Sequence, residues 1–354
     1  MTEQAHERDA DVPPPREATG DARQPASTAS PRPEPAADPA RGALVARIPP
    51  AAGVGTFLVL AVLCFGVFVH GFATYSNFTV IIATASVIML ASLGQLLTVV
   101  CGGFDLSIGG VIPLAAVIYA KLTTDGHSTA VSMITVVLVG VLVGLVHLVL
   151  IGAFRINALI TTLATLSITG GTAFTIANGQ TLSVKSSAGV LGNEAFNGIA
   201  YHVLVTAGLV LLVHLVMRWS VFGRRVYMVG GNREAARLAG VRVVAVEGGV
   251  YVISAALAAV AGVVTASQLL AATGSLGAQI TLQSLAAVVL GGAALGGGRG
   301  GVPGAVIGVL LLGVVSDGLT IQRVPSFYQQ ILSGAILLLA VGFGKVQERA
   351  RRAS

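Results

Sequence analysis

Residues 218–247 read RWSVFGRRVYMVGGNREAARLAGVRVVAVE, and six arginines, Arg218, Arg224, Arg225, Arg233, Arg237 and Arg242, fall within this stretch of an otherwise strongly apolar chain. A segment holding so many cations between nearly charge-free flanks lies in water, and the positive-inside tendency makes that water cytoplasmic. Within it, Gly230-Gly231-Asn232-Arg233-Glu234-Ala235-Ala236-Arg237-Leu238-Ala239-Gly240 reads as a short helix with both ends marked. Asn232 is a capping residue, Gly240 suits a left-handed stop, and Glu234 and Arg237 face each other at i,i+3. A small, capped, charged helix between two membrane spans has the shape to dock in a groove of another protein.

The rest of the chain sets this helix in a membrane. Of its 354 residues 54% are hydrophobic and 10% charged, with a mean hydropathy of +0.85, against about 25% charged in an ordinary globular domain. Segments of about 20 apolar residues fall near 51–72, 78–101, 106–122, 129–152, 157–177, 200–218, 247–271, 281–296, 302–320 and 326–343. The expected fold is an all-α polytopic membrane protein of about ten transmembrane helices, with the charged helix between spans six and seven. With both termini inside, fourteen Lys and Arg from Arg41 onward lie on the cytoplasmic side and three, Lys121, Lys185 and Arg323, outside. The reverse topology inverts that ratio, so cytoplasmic termini are expected.

The net charge of +6 is therefore a topology signal. Nucleic-acid binding is not expected, since the arginines border membrane spans without interleaved aromatic residues. Residues 1–50 carry ten of the thirteen prolines in an Ala-rich background and read as a disordered cytoplasmic tail. Residues 51–344 form the membrane domain and 345–354 a basic cytoplasmic tail. The first apolar run begins near Val54 and is long enough to stay in the membrane, so no signal peptide is read. Cys64 and Cys101 both lie in expected spans and read as small apolar residues.

Two glycine-rich breaks interrupt the spans and resemble each other. Cys101-Gly102-Gly103-Phe104-Asp105-Leu106-Ser107-Ile108-Gly109-Gly110 parallels Leu290-Gly291-Gly292 followed by Gly296-Gly297-Gly298-Arg299-Gly300-Gly301. Both fall on the cytoplasmic side of the expected topology, where they suit re-entrant or tightly packed helix junctions next to a pathway; tight turns and small-residue packing seams are the plainer reading. The longest external segment, 178–200, is polar and either receives a soluble partner or is a solvated connection.

Polar residues inside the spans are the pathway candidates: Gln95, Asp105, Ser107, Asn157, Thr161, Thr165 and Asp317. A carboxylate at membrane depth costs about 2.5–3.5 kcal/mol unless paired or wet. Asp105 either caps the helix that begins near Leu106 or touches solute, and Asp317 either pairs with Arg323 or faces a water-filled path. Thr161, Thr165, Thr169 and Thr172 recur at helical spacing and offer hydrogen bonds to a polyhydroxyl solute, or simply bond their own backbone. The histidines lack metal-ligand spacing, so no metal site is read. There is no catalytic constellation and no phosphate-binding loop, so no cofactor is expected on this chain and any ATP use belongs to a partner.

In combination these motifs resemble the permease subunits of bacterial ABC importers for sugars, the ribose-type inner-membrane translocators. Gly102-Gly103-Phe104-Asp105-Leu106-Ser107-Ile108-Gly109 is similar to that family's GGIDLSVG signature, and Gly230 through Gly240 to its GGNEEAARLSG segment. Ala286-Ala287-Val288-Val289-Leu290-Gly291-Gly292 with Gly297-Gly298-Arg299-Gly300 resembles its AAVVIGG and GGRG blocks, and Pro325-Ser326-Phe327-Tyr328-Gln329-Gln330 the approach to its last span. The chain departs from the family at Thr281 and Gln283, at Asp317, and at Ile156-Asn157-Ala158-Leu159. The resemblance implies that Asn232, Arg233, Glu234, Ala235, Ala236, Arg237, Leu238 and Gly240 form a coupling helix for an ABC ATPase subunit. It also implies a substrate-binding protein at the outer face, a second permease chain in a homo- or heterodimer, ATP on the partner subunit, and a multi-pass place among the lipids of the bacterial plasma (inner) membrane. A sugar is the expected solute; nucleosides and branched-chain amino acids come next. The competing reading is an ion-coupled secondary transporter that titrates Asp105 or Asp317.

Overall fold

The computed structural model describes residues 50–332 except 276, and beyond them 334, 335, 338 and 342. The Pro-rich tail before residue 50, the basic tail 345–354 and most of the expected span 326–343 lie outside the described residues; 326–332 are helical. Eleven helices precede them: α1 Pro50–Phe68, α2 Tyr75–Val100, α3 Ile108–Thr124, α4 Thr129–His147, α5 Ala158–Ile176, α6 Tyr201–Trp219, α7 Val221–Gly231, α8 Arg233–Leu238, α9 Val243–Leu269, α10 Ala278–Leu290 and α11 Val302–Ile321. The helix starts follow the polar residues that punctuate the apolar runs. Thr74, Ser128, Asn157, Ser220 and Asn232 each turn a side-chain oxygen back to a free first-turn N–H, capping α2, α4, α5, α7 and α8.

Among the described residues six helices are long and apolar enough to cross a membrane: α2, α4 with its π-helical continuation Leu148–Ala153, α5, α6, α9 and α11. Three apolar stretches are shorter, Gly53–Phe68 of α1 among them. Two of them, α3 with 17 residues and α10 with 13, adjoin the glycine breaks; at 1.5 Å per residue α10 is only about 20 Å long. The expected span 281–296 thus ends at Leu290, because Gly291–Gly301 is spent in turns that no helix continues through. The expected seventh span starts four residues earlier than hydropathy indicates, at Val243, which brings Glu247 inside the helix.

The centre of the bundle is α9, packed on α2, α3 and α4. In α2 and α9 72% of the apolar window is buried, against 22% in α5 and α6, so the first pair is core and the second faces outward. Small residues allow the close approach: a Cβ on Gly144 of α4 falls 2.4 Å from Val252 Cα, and one on Gly140 falls 2.6 Å from Ala259 Cβ. At one end of the bundle the 178–200 segment folds back on the helices. Its strand Leu182–Ser183 pairs antiparallel with Ala271–Ala272, its hairpin Glu194–Phe196 with Ile199–Ala200 carries Asn197, and Tyr75 Oη donates to Asn197 O. The glycine breaks lie at the opposite end, with Val100 and α7.

Candidate functional site at the glycine junction

The two breaks close their helices in the same way. Gly102 and Gly292 adopt φ of +93° and +89°, which an L side chain strains to reach, and in each the next residue donates back to the helix: Gly103 N to Thr98 O and Ala293 N to Val288 O. The breaks then meet. Gly298 N donates to Val100 O at 2.8 Å, a Cβ on Gly297 falls 2.9 Å from Gly102 Cα, and one on Gly298 falls 2.7 Å from Gly231 Cα. Gly230 of α7 fills the remaining gap, with the position of its missing Cβ only 1.8 Å from Val100 O. Three glycine pairs far apart in the chain form one junction, and Tyr227 of α7 ties it down by donating to Gly300 O at 2.8 Å. Burial raises the Tyr227 phenol pKa, so it remains a donor.

From this junction Gly103 to Leu106 runs as non-helical backbone into the bundle. Irregular backbone at membrane depth is tolerated only where protein satisfies it. Asp105 does much of that satisfying. It is fully buried; Oδ1 accepts from Ser107 N at 3.0 Å and from Ser107 Oγ at 2.5 Å, and Oδ2 accepts from Ser254 Oγ at 2.6 Å. Phe104 O accepts from Tyr251 Oη at 3.3 Å. Both Tyr251 and Ser254 belong to α9, one helical turn apart. A third residue of the same face, Glu247, accepts from Arg233 of α8 at 2.8 Å, with 14% of its side chain exposed against 55% for Arg233. Glu247, Tyr251 and Ser254 stand at i, i+4 and i+7, the signature of one helix face. Sequence reading passed over all three, though that spacing was visible.

Next to this face is a cavity of about 200 Å³ lined by Thr98, Gly103, Arg155, Asn157, Arg233, Glu247 and Tyr251. It brings Asn157 together with the Arg233 end of α8. Asn157 itself caps α5, accepting from Leu159 N at 2.8 Å. The threonine stripe of α5 is turned inward at Thr161, Thr165 and Thr169, whereas Thr172 is exposed; Thr165, Thr169 and Thr172 donate to carbonyls four residues back. Thr165 Oγ1 also lies 2.9 Å from Nε2 of the buried His147, whose ring stands edge-on to Tyr251. Among the described residues, buried atoms without a partner include Thr161 Oγ1, His147 Nδ1, Thr281 Oγ1 and both amide atoms of Gln95. Such groups cost about 1–3 kcal/mol each unless water or solute meets them.

Asp317 stands apart from this cluster. It is half-buried, and Oδ2 accepts from Asn77 Nδ2 at 2.8 Å, an α2 partner that sequence reading did not name when it weighed Arg323. Among the described residues no group of His, Cys, Asp and Glu is arranged to hold a metal ion.

The short helix α8 has the caps read from the sequence. Asn232 Oδ1 accepts from Ala235 N at 2.9 Å, and Gly240 turns at φ +79°. Glu234 and Arg237 pair at 2.8 Å and are both more than 60% exposed. Ala236 is buried against the bundle while Leu238 is 80% exposed. A leucine and an ion pair thus project from one short helix at the surface of the bundle.

Comparison with known proteins agrees with this picture. Residues 77–341 match the family model described as branched-chain amino acid transport system / permease component. The L-arabinose ABC transporter permease protein AraH of Azospirillum brasilense is 35% identical over 94% of this chain and 98% of its own length. The L-arabinose transport system permease protein AraH of Escherichia coli (strain K12) is 35% identical over 84% and 90%, and the ribose import permease protein RbsC of Bacillus subtilis (strain 168) 31% identical over 71% and 79%. No solved structure matches the chain. With its signature motifs in order and relatives matched over most of their length, the chain belongs to the ribose-type permeases of the ABC importer family.

Proposed function

We propose that this chain is the membrane-spanning subunit of an importer for a sugar or similar polar solute, delivered by a soluble binding protein and energised by a separate ATPase. The observation that carries the reading is α8: a capped helix whose Leu238 and Glu234–Arg237 pair project from the same end of the bundle as the glycine junction. An exposed leucine ringed by charge suits a cleft of a partner better than it suits water. The relatives' names speak of L-arabinose and ribose, which makes a pentose the first solute to test. The chain acts as a transport subunit, with no cofactor of its own and ATP bound by the partner.

In this reading the bundle spans the plasma (inner) membrane ten times with both termini cytoplasmic. Support comes from where the cations fall: Arg155, Arg233, Arg237 and Arg242 line neighbouring surfaces at the α8 end, while Lys121 sits on α3 toward the opposite end, where Thr124 donates to Ser183 O. The outer end, closed by the 178–200 segment, faces the binding protein. A second permease chain completes the path, and nucleotide-driven movement of α8 is converted by the packed helices into alternating access.

The test is affinity capture of the detergent-solubilised protein from its native membrane with mass spectrometry of what copurifies. A P-loop ATPase should be recovered and should be lost from the Glu234→Ala/Arg237→Ala variant. A preparation free of ATPase, from cells that express one abundantly, would refute the reading and leave ion-coupled transport in its place.

A further inference from the structure

We infer that Glu247, Tyr251 and Ser254 of α9 form a strut through which α8 positions the Asp105 segment; the inference rests on the importer reading, in which α8 is the part an ATPase displaces. The three side chains lie on one face of a buried helix, and each holds something that α9 does not own. Glu247 holds Arg233 of α8 at 2.8 Å, Tyr251 holds Phe104 O at 3.3 Å, and Ser254 holds Asp105 Oδ2 at 2.6 Å. From Glu247 to Ser254 is seven residues, about 10 Å along the helix. The strut therefore reaches from the solvent-exposed end of the bundle to the point where non-helical backbone enters it.

Two features make the linkage stiff. Asp105 is fully buried with no cation bonded to it among the described residues, so the hydroxyls of Ser107 and Ser254 and the amide of Ser107 are its whole support. Losing Ser254 leaves a buried acceptor short of a donor, which resists any separation of α9 from this segment. Gly94 of α2 backs Ser254 so closely that a Cβ there would fall 2.7 Å from Ser254 Oγ and 3.0 Å from its Cα. The absent side chain at Gly94 leaves Ser254 its place between α2 and Asp105, and a larger residue there would press on it. At the other end the Arg233–Glu247 pair is half-shielded, and Arg155 lines the same cavity as a second cation facing Glu247. A shift of α8 pulls on a helix whose next two turns grip the break. Glu247, Tyr251 and Ser254 act as positioning residues that transmit displacement and are not solute contacts.

The experiment is hydrogen exchange by mass spectrometry on the permease captured with its ATPase in lipid nanodiscs, comparing ADP with ATP plus vanadate. Peptides covering 233–240 report α8, and peptides covering 101–107 report the break, including the Ser107 amide held by Asp105. In the wild type both should change with nucleotide. In Tyr251→Phe and Ser254→Ala, α8 should respond as before while the response of the break falls by about threefold or more, as for side chains coupled in one network. Arg233→Glu and Glu247→Arg should each lose the response of the break and the double exchange should restore it, a rescue that a folding defect cannot mimic. Persistence of the break's response in these variants, or a wild type in which α8 responds and the break does not, overturns the strut. Absence of any copurified ATPase removes the importer reading, and the strut with it.

Discussion

Gly230 and Gly231 are neighbours in sequence, yet an alanine should be harmful at one and harmless at the other. Both lie at the end of α7, where helix propensity alone favours alanine over glycine by about 1 kcal/mol. At Gly231 a Cβ meets nothing within 4 Å. At Gly230 it lands 1.8 Å from Val100 O, 2.7 Å from Gly298 N and 2.9 Å from Val100 C, all of them backbone atoms with no rotamer to yield. Since real Cβ contacts essentially never fall below 3.0 Å, α7 must retreat by about 1.2 Å. Where α7 retreats by less, the Cβ stays wedged beside Val100 O and Gly298 N and parts their hydrogen bond, now 2.8 Å. Overpacking at about 1–3 kcal/mol and a buried amide left short of its partner at about 1–3 kcal/mol outweigh the propensity gain of about 1 kcal/mol, for a net loss of roughly 1–5 kcal/mol. Gly231→Ala should gain up to about 1 kcal/mol. The gap between the two variants, about 2–6 kcal/mol, corresponds to roughly 4–12 °C at some 2 °C per kcal/mol for a chain of this size. The assay is the loss of monodisperse protein after stepwise heating in detergent, read by fluorescence-detected size exclusion. Equal melting of the two variants, or a more damaging Gly231→Ala, would refute the junction.

Asp105→Ala should lower stability by about 2–5 kcal/mol, because it strands Ser254 and Ser107 in a dry site, while Asp105→Asn keeps one carbonyl oxygen and should lose less than half as much; the same heating series separates them. Asn157→Ala removes the cap of α5 and should cost about 1 kcal/mol, whereas Asn157→Asp should retain the cap and most of the stability. The Glu234→Ala/Arg237→Ala variant breaks only an exposed pair worth less than about 1 kcal/mol, so its melting should stay close to wild type while ATPase recovery in the pulldown falls. Asp317→Asn should melt close to wild type, since its amide oxygen still accepts from Asn77, whereas Asp317→Leu leaves the part-buried Asn77 amide with Phe72 O alone and should cost about 1 kcal/mol.

Much of this protein was legible from its residues in order. Apolar runs about 20 residues long announce helices that cross a membrane because hydrocarbon cannot solvate a peptide group, and that signal is local. Asn157 before α5 and Asn232 before α8 are equally local, since a cap needs only its own first turn. The arginines of 218–247 set an expected orientation without reference to anything distant. Hydropathy misjudged the ends: it extended the 281–296 span past Leu290, because glycine and alanine count as apolar whether a segment is helix or turn, and it started α9 at Glu247, four residues late.

Tertiary structure alone decided which of these local features act together. The sequence shows Gly102-Gly103, Gly230-Gly231 and Gly296-Gly297-Gly298 as three separate breaks; only the fold stacks them, and only the fold distinguishes Gly230 from Gly231. It also assigns Asp105 to Ser107 and Ser254, and Asp317 to Asn77. The physical reason is the range of the forces. Hydrophobic periodicity and capping depend on neighbours within a turn or two, whereas a buried carboxylate takes whatever donor long-range packing brings within about 3 Å, and Ser254 lies 149 residues away.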